Sequence, residues 1–195
     1  MKNVNKVKYL GDVINNLGNV NDTVNDRYSR GIGIINQITS LLTTILLGIY
    51  YYDIAMVLRE SMLINSILTS SQSWYNVSNK HLETLESIDI LYMRKIFNSH
   101  SKTAREIYFL ETGKLQIKYV LSKRRLMYLH HILTRDKNEL IYKVYKTQEL
   151  KITKGDWFSM IQSQKKLYNI QLTDNQISVM KNNLLKNELN KMLKT

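Results

Sequence analysis

Cysteine and proline are both missing from this chain of 195 residues. Without cysteine there is no disulfide and no thiolate metal site, which rules out a zinc knuckle or an iron–sulfur centre and favours an intracellular protein, in the nucleus or the cytoplasm. Average usage of about 5% would give roughly ten prolines at this length, so nothing of that kind interrupts one helix after another. The seven glycines are scattered and match neither GxxxxGK[ST] nor GxGxxG, so no phosphate-cradling loop is encoded.

Other absences narrow the chemistry. Two-metal phosphoryl transfer needs carboxylates converging on ions about 4 Å apart, often announced by an Asp-Asp pair. No Asp-Asp step occurs, and the one Tyr-Asp step, Tyr52-Asp53, opens a helical pattern instead of sitting in a hairpin. Adjacent His130 and His131 point about 100° apart on a helix, which argues against a shared metal. No catalytic residue and no cofactor are therefore assigned to the chain. Met1–Lys8 lacks the apolar core of a signal peptide. The apolar run Leu41–Leu58 is broken by Asp53 and falls short of the roughly 20 residues a bilayer needs, so no membrane partner is expected.

Hydrophobic content of 44% and charged content of 23% are those of a globular chain. The net charge of +12 is unevenly placed: residues 1–92 hold 7 Lys/Arg against 8 Asp/Glu, and residues 93–195 hold 21 against 8. A field this basic in the C-terminal half suits nucleic acid or another anionic surface.

The pattern predicts a mainly α fold: an irregular multi-helix bundle with a short N-terminal β-strand or hairpin. Val7, Tyr9, Gly11 and Val13 alternate with their neighbours up to a turn-rich cluster at 15–19, a hairpin expected to have few partners inside the chain. Helical spacing begins at Asn21, with Val24, Tyr28, Ile32, Ile35, Ile38 and Leu42. Asp53 is the expected cap of a core helix reaching Leu68, on which Arg59, Glu60 and Asn65 are the plainly polar positions. Ser78 or Asn79 caps a third helix through Ile96. Thr103 with Glu106 reads as a capping box for a short helix closed by Gly113. Beyond the central basic segment, Leu140–Tyr145 is helical and Lys151–Gly155 a loop. Asp156 caps Trp157–Tyr168, and Thr173 with Gln176 opens one last helix over Ile177–Leu193. The expected division is 1–20, 21–100 and 101–195.

The segment Glu111–Arg135 stands out because it is apolar on most sides yet carries three arginines. At about 100° per residue, Arg124, Tyr128, His131 and Arg135 fall within a stripe about 60° wide, opposite Leu126, Leu129 and Leu133, and Arg125 projects about 100° away. Two readings stand side by side. In one, these arginines pair with carboxylates such as Glu111 or Asp136 in a partly buried network. In the other, they form a track for phosphates, with Tyr128 stacking on a base or sugar. The basic stretches Lys151–Lys154 and Lys165-Lys166 come next as candidates.

Read in order, Lys8-Tyr9-Leu10-Gly11, Leu58-Arg59-Glu60-Ser61, Ser73-Trp74-Tyr75-Asn76-Val77, Leu82-Glu83-Thr84-Leu85-Glu86-Ser87-Ile88-Asp89, Leu110-Glu111-Thr112-Gly113, Arg124-Arg125-Leu126-Met127-Tyr128-Leu129-His130-His131 and Asp156-Trp157 form a succession. It resembles the C-terminal part of reverse transcriptases of non-LTR (LINE-like) retrotransposons, from the last palm motif through the thumb. The resemblance implies that Tyr9, Leu10 and Gly11 occupy the primer grip, and that 1–20 is a palm remnant, 21–100 a thumb-like bundle and 101–195 a basic extension. It further implies that Arg124, Arg125, Tyr128, His131 and Arg135 face an RNA–DNA or DNA duplex. The family's catalytic aspartates and their magnesium lie upstream of anything matched here, so the implied partners are nucleic acid and upstream polymerase domains, and the implied role is clamping template and primer without catalysis. Asn65 and Gln116 replace family prolines. The alternative is a free-standing helical protein that binds nucleic acid or an acidic partner with no polymerase role.

Overall fold

The structure is a computed structural model that describes residues 5–9, 12–44, 50–74, 76–151 and 155–193. It is mainly helical, with one two-stranded antiparallel sheet at the N-terminal end. The chain forms two compact units: the first comprises Met1–Ser70 and Val77–Lys118, the second Ser71–Asn76 and Tyr119–Thr195. The N-terminal hairpin thus belongs to the first unit, and the division in the second half of the chain falls after Lys118 instead of at 100/101.

In the first unit, β1 (Lys6–Tyr9) pairs with β2 (Asp12–Asn15), with Val7 opposite Ile14 and Tyr9 opposite Asp12. The long helix α1 (Asn21–Thr44) follows. The hairpin has more partners than its sequence suggested. Val13 and Thr23 exchange two hydrogen bonds, the Val13 N–H donating to Thr23 Oγ1 (2.9 Å) and that hydroxyl donating to the Val13 carbonyl (3.1 Å). Lys6 pairs with Asp22 and Lys8 with Asp26, at 2.7 and 2.8 Å. Buried Arg27 donates to Asp12 and to the carbonyls of Ser66 and Thr69. An isolated hairpin is marginal in water; this one is held by polar ties from α1.

The core of the first unit lies between α1, α2 (Tyr51–Leu58) with its continuation, and α4 (Asn79–Phe97); α3 (Asn65–Ile67) is the last piece of that continuation. Between α2 and α3 the chain forms a π-helical segment, Arg59–Ile64. The wider turn brings Arg59, Leu63 and Ile64 inward together. Gly31 lets α1 come close to its neighbours: a Cβ there would lie 2.7 Å from Ile88 Cγ2 and 3.2 Å from Ile67 Cγ2. Arg59, read from the sequence as a polar position, is fully buried and grips Asp89 on α4, with Nε to Oδ1 at 2.7 Å. It also donates to Glu60 and to the Leu115 carbonyl. Tyr92 donates its hydroxyl to the Ala55 carbonyl.

Helix ends divide between expectation and correction. Ser78 caps α4 in a reciprocal box with His81, and Gly113 closes α5 (Arg105–Thr112) in the left-handed region at φ 61°. Asp53 does not cap α2; the cap position is Tyr50, with no side-chain hydrogen bond, and Asp53 lies in the first turn, where a carboxylate still suits the positive pole. Thr103 and Glu106 form no box either, because α5 starts one residue later, with Ala104 as its cap.

The second unit is built around α6 (Ile117–Leu133), most of which lies within it, together with α7 (Leu140–Lys151), α8 (Trp157–Leu167), α9 (Asp174–Val179) and α10 (Asn182–Met192). Leu126, Leu129, Ile132, Tyr145, Ile161, Ile177, Leu185 and Leu189 fill its core. Asp156 caps α8, and Thr173 with Gln176 makes the capping box of α9. The single last helix expected from Ile177 to Leu193 is instead two. Met180 is extended, at φ −70° and ψ 138°, and its carbonyl accepts from His130 Nε2 at 2.9 Å. That bond to α6 takes the carbonyl out of the helical ladder and lets Ile177 on one side and Leu185 and Leu189 on the other reach the same core. Of the expected loop Lys151–Gly155, residues 152–154 lie outside the described residues. Among the described residues no helix is long and apolar enough to cross a membrane.

Candidate nucleic-acid interface

The second unit carries 15 Lys/Arg against 6 Asp/Glu, for +9, and the first 13 against 10, for +3. Four described ion pairs use up part of the second unit's cations: Arg135–Glu139, Lys146–Glu149, Lys165–Asp174 and Lys191–Glu188. Lys137, Lys143, Lys151, Lys166, Lys181 and Lys186 are exposed and make no ion pair among the described residues. Of the two adjacent lysines singled out from the sequence, Lys165 is held by Asp174 at 3.2 Å and only Lys166 is open to solvent.

On α6 the hydrophobic side is as its periodicity requires, with Leu126 and Leu129 buried and Leu133 packed against the core. Opposite it the structure brings Tyr128, His131 and Arg135 together. The Tyr128 and His131 rings stack at 6.0 Å between centroids, 17° from parallel. Arg135, just past the end of α6, donates Nε and Nη2 to His131 Nε2 at 3.2 and 3.1 Å. An acceptor at Nε2 requires the tautomer with its proton on Nδ1. The carboxylate beside Arg135 is Glu139, at 3.5 Å, and not Glu111 or Asp136; both members are about half exposed, so the pair is weak. Arg124 is half-buried.

Arg125 does not share this surface. It is 4% exposed and donates Nη2 to the Trp74 carbonyl, while its Nε finds no partner. Burial pulls its guanidinium down to about 10, with only a small opposing pull from Tyr168. A cation turned into the unit this way does not face a duplex, so Arg125 leaves the expected duplex-facing set. Of the three residues expected at a primer grip, Tyr9 stands well exposed at the end of β1, and Leu10 and Gly11 lie outside the described residues.

Sequence reasoning missed the aromatic cluster beside the ridge. Trp157 meets Tyr128 edge-on at 5.8 Å and Tyr145 at 6.2 Å, and Tyr145 leans on Phe158 at 5.5 Å. Trp157 Nε1 donates to the Gln72 carbonyl at 2.8 Å, which fixes its ring. The Tyr145 hydroxyl donates to Asp174, and burial with that carboxylate pushes the phenol well above its usual range. A signal was present: Tyr142, Tyr145, Trp157 and Phe158 crowd four of the chain's 18 aromatic residues into one short stretch. Among the described residues no three His, Asp or Glu side chains converge as a metal ion would need. No protein-family model, curated protein or solved structure matches the chain.

Proposed function

We propose that the chain is a duplex-binding module, corresponding to the thumb and C-terminal region of a non-LTR reverse transcriptase, which grips template and primer through phosphates and sugars and leaves catalysis to upstream domains. The observation that carries this reading is the charge of the second unit, +9 with six exposed lysines unpaired among the described residues. Scattered lysines and an exposed guanidinium suit a regular lattice of phosphates, where contacts position a duplex without reading its sequence. The ordered succession of family-like motifs adds the polymerase context. Two of those motifs, around Arg59 and around Asp89, meet in the core of the first unit, a structural role that suits a thumb bundle.

The test is fluorescence anisotropy of the full chain on blunt RNA–DNA and DNA duplexes across a salt series. Affinity should vary little with sequence and fall with salt, with a log–log slope of about −0.9 per neutralised phosphate on B-form DNA. Replacing Arg124 and Arg135 by Gln should flatten the slope by up to about two contacts' worth while the melting temperature holds. Unchanged salt dependence in a destabilised double variant would overturn the assignment of these two residues. Absence of salt-dependent duplex binding by the parent chain would overturn the function.

A further inference from the structure

Within the second unit an apolar cavity of about 160 Å³ opens between α6, α7 and α8. Its walls include three aromatic residues, Tyr128, Tyr145 and Trp157, together with Ile132, Ile141 and Gln148. Gln148 Oε1 already accepts from the Phe158 N–H, and among the described residues no bond holds its Nε2. We infer that this cavity is a site for one unpaired pyrimidine base of a nucleic-acid strand. The inference rests on the duplex-binding reading above and extends it from phosphate contacts to a single base at a strand end.

Size, wall chemistry and rim charge each argue for this occupant. An apolar cavity of about 150 Å³ takes a benzene-sized ring, so one six-membered ring fits here and a fused two-ring purine overfills it. Aromatic walls favour a flat π-face, and stacking on them is tolerant of orientation in a way that hydrogen-bond readout is not. The Gln148 Nε2 is a donor for a ring carbonyl, which every pyrimidine carries at C2. An aliphatic side chain of a protein partner would satisfy the apolar walls but gains nothing from the cation beside them. Tyr128 stacks on His131 and His131 accepts from Arg135, so a guanidinium lies two contacts beyond the Tyr128 wall. A cation on that side suits a phosphate of the strand whose base is seated.

The experiment compares the full chain on a blunt duplex with the same duplex bearing a one-nucleotide overhang: a pyrimidine, a purine or an abasic residue. The pyrimidine overhang should bind about tenfold tighter than the blunt end, the usual order for one base on an aromatic surface, and the abasic overhang should return to the blunt value. Val144→Phe, which fills the cavity from an exposed position, should erase the overhang preference and leave blunt-duplex affinity and salt slope unchanged; Val179→Phe, on an exposed position away from the cavity, should change neither. Equal affinity for all ends, or a gain that survives in the abasic duplex or in Val144→Phe, would overturn the pyrimidine site while blunt-duplex binding still upheld the function. A gain for purine equal to that for pyrimidine would overturn the size argument. Failure to bind any of these nucleic acids would overturn both.

Discussion

The first unit buries Arg27 and Arg59 and the second buries Arg125, and Arg59 and Arg125 are held in opposite ways. Arg59 in the first unit faces Asp89 in a bidentate pair, with further bonds to Glu60 and the Leu115 carbonyl. Burial lowers its proton affinity, but the two carboxylates more than offset that. Arg125 in the second unit has one carbonyl and, among the described residues, no carboxylate, and burial wins. The first arrangement is a locked cross-link between the π-helical segment and α4. The second is a charge kept for its long packed stem, at an electrostatic cost. The first unit therefore sets the Arg59 cation among carboxylates, and the second is a unit whose excess positive charge reaches even its interior.

Removing a partner breaks this comparison most strongly at Asp89. Arg59→Met leaves a fully buried carboxylate unpaired and should cost about 3–5 kcal/mol in urea unfolding. Arg59→Met combined with Asp89→Leu should recover most of that loss, because a buried pair contributes little net stability against apolar replacements. Arg125→Met keeps the stem packing and removes the poorly paired charge, so it should change stability by less than about 1 kcal/mol in either direction. If Arg125→Met proves as damaging as Arg59→Met, the contrast between the units fails.

The fold was legible where one face of an element repeats and where caps follow local rules. Helical spacing from Val24 to Leu42, the cap at Ser78, the box at Thr173 and the stop at Gly113 all depend on neighbours within a turn or two. What escaped depends on partners far along the chain. Arg59 reads as a surface residue until Asp89 is noticed on the apolar face of α4, among Leu85, Ile88, Tyr92 and Met93; a carboxylate in that row demands a cation. The break at Met180 needs His130, fifty residues away. At the interface, periodicity put Tyr128, His131 and Arg135 in one row. It could not tell that Arg125, a single step round the helix, points inward, because both directions from α6 offered apolar neighbours. Nor could it assemble a cavity from three helices.

A smaller effect sharpens the picture of the first unit through its glycines. At Gly31 an added methyl meets Ile88 at 2.7 Å, so Gly31→Ala must push α1 and α4 apart and should cost about 1–3 kcal/mol. Gly33, two residues on in the same helix, has open space around the same added atom, and Gly33→Ala should stabilise by about 0.5–1 kcal/mol through helix propensity alone. Thermal unfolding of the two variants should move in opposite directions. A matching sign would mean that the close approach of α1 to Ile88 is not maintained in solution.

The smallest effect concerns how the hairpin stays on α1. The hydrogen bond from Lys6, helped by Asn15, holds the Asp22 carboxyl below its usual range, and that from Lys8 does the same for Asp26. A carboxyl depressed in the docked state binds fewer protons there than when released. The tie is therefore fully present above the ordinary carboxylate value, about 4, and is lost only as pH falls through the lower docked value. Both lysines are half exposed or more, so salt should weaken the ties. The Val13 amide, held by Thr23 Oγ1, reports docking directly in an NMR pH titration. Its signal should stay at the docked position below pH 4 at low salt. In a Lys6→Gln/Lys8→Gln variant the carboxyls lose these partners, so docking should weaken at every pH and lose most of its dependence on protonation below the ordinary carboxylate value, while the helical core of the unit stays folded. Release of the parent hairpin at or above that value would mean that the Val13–Thr23 bonds and Arg27–Asp12, and not the lysine pairs, carry the attachment.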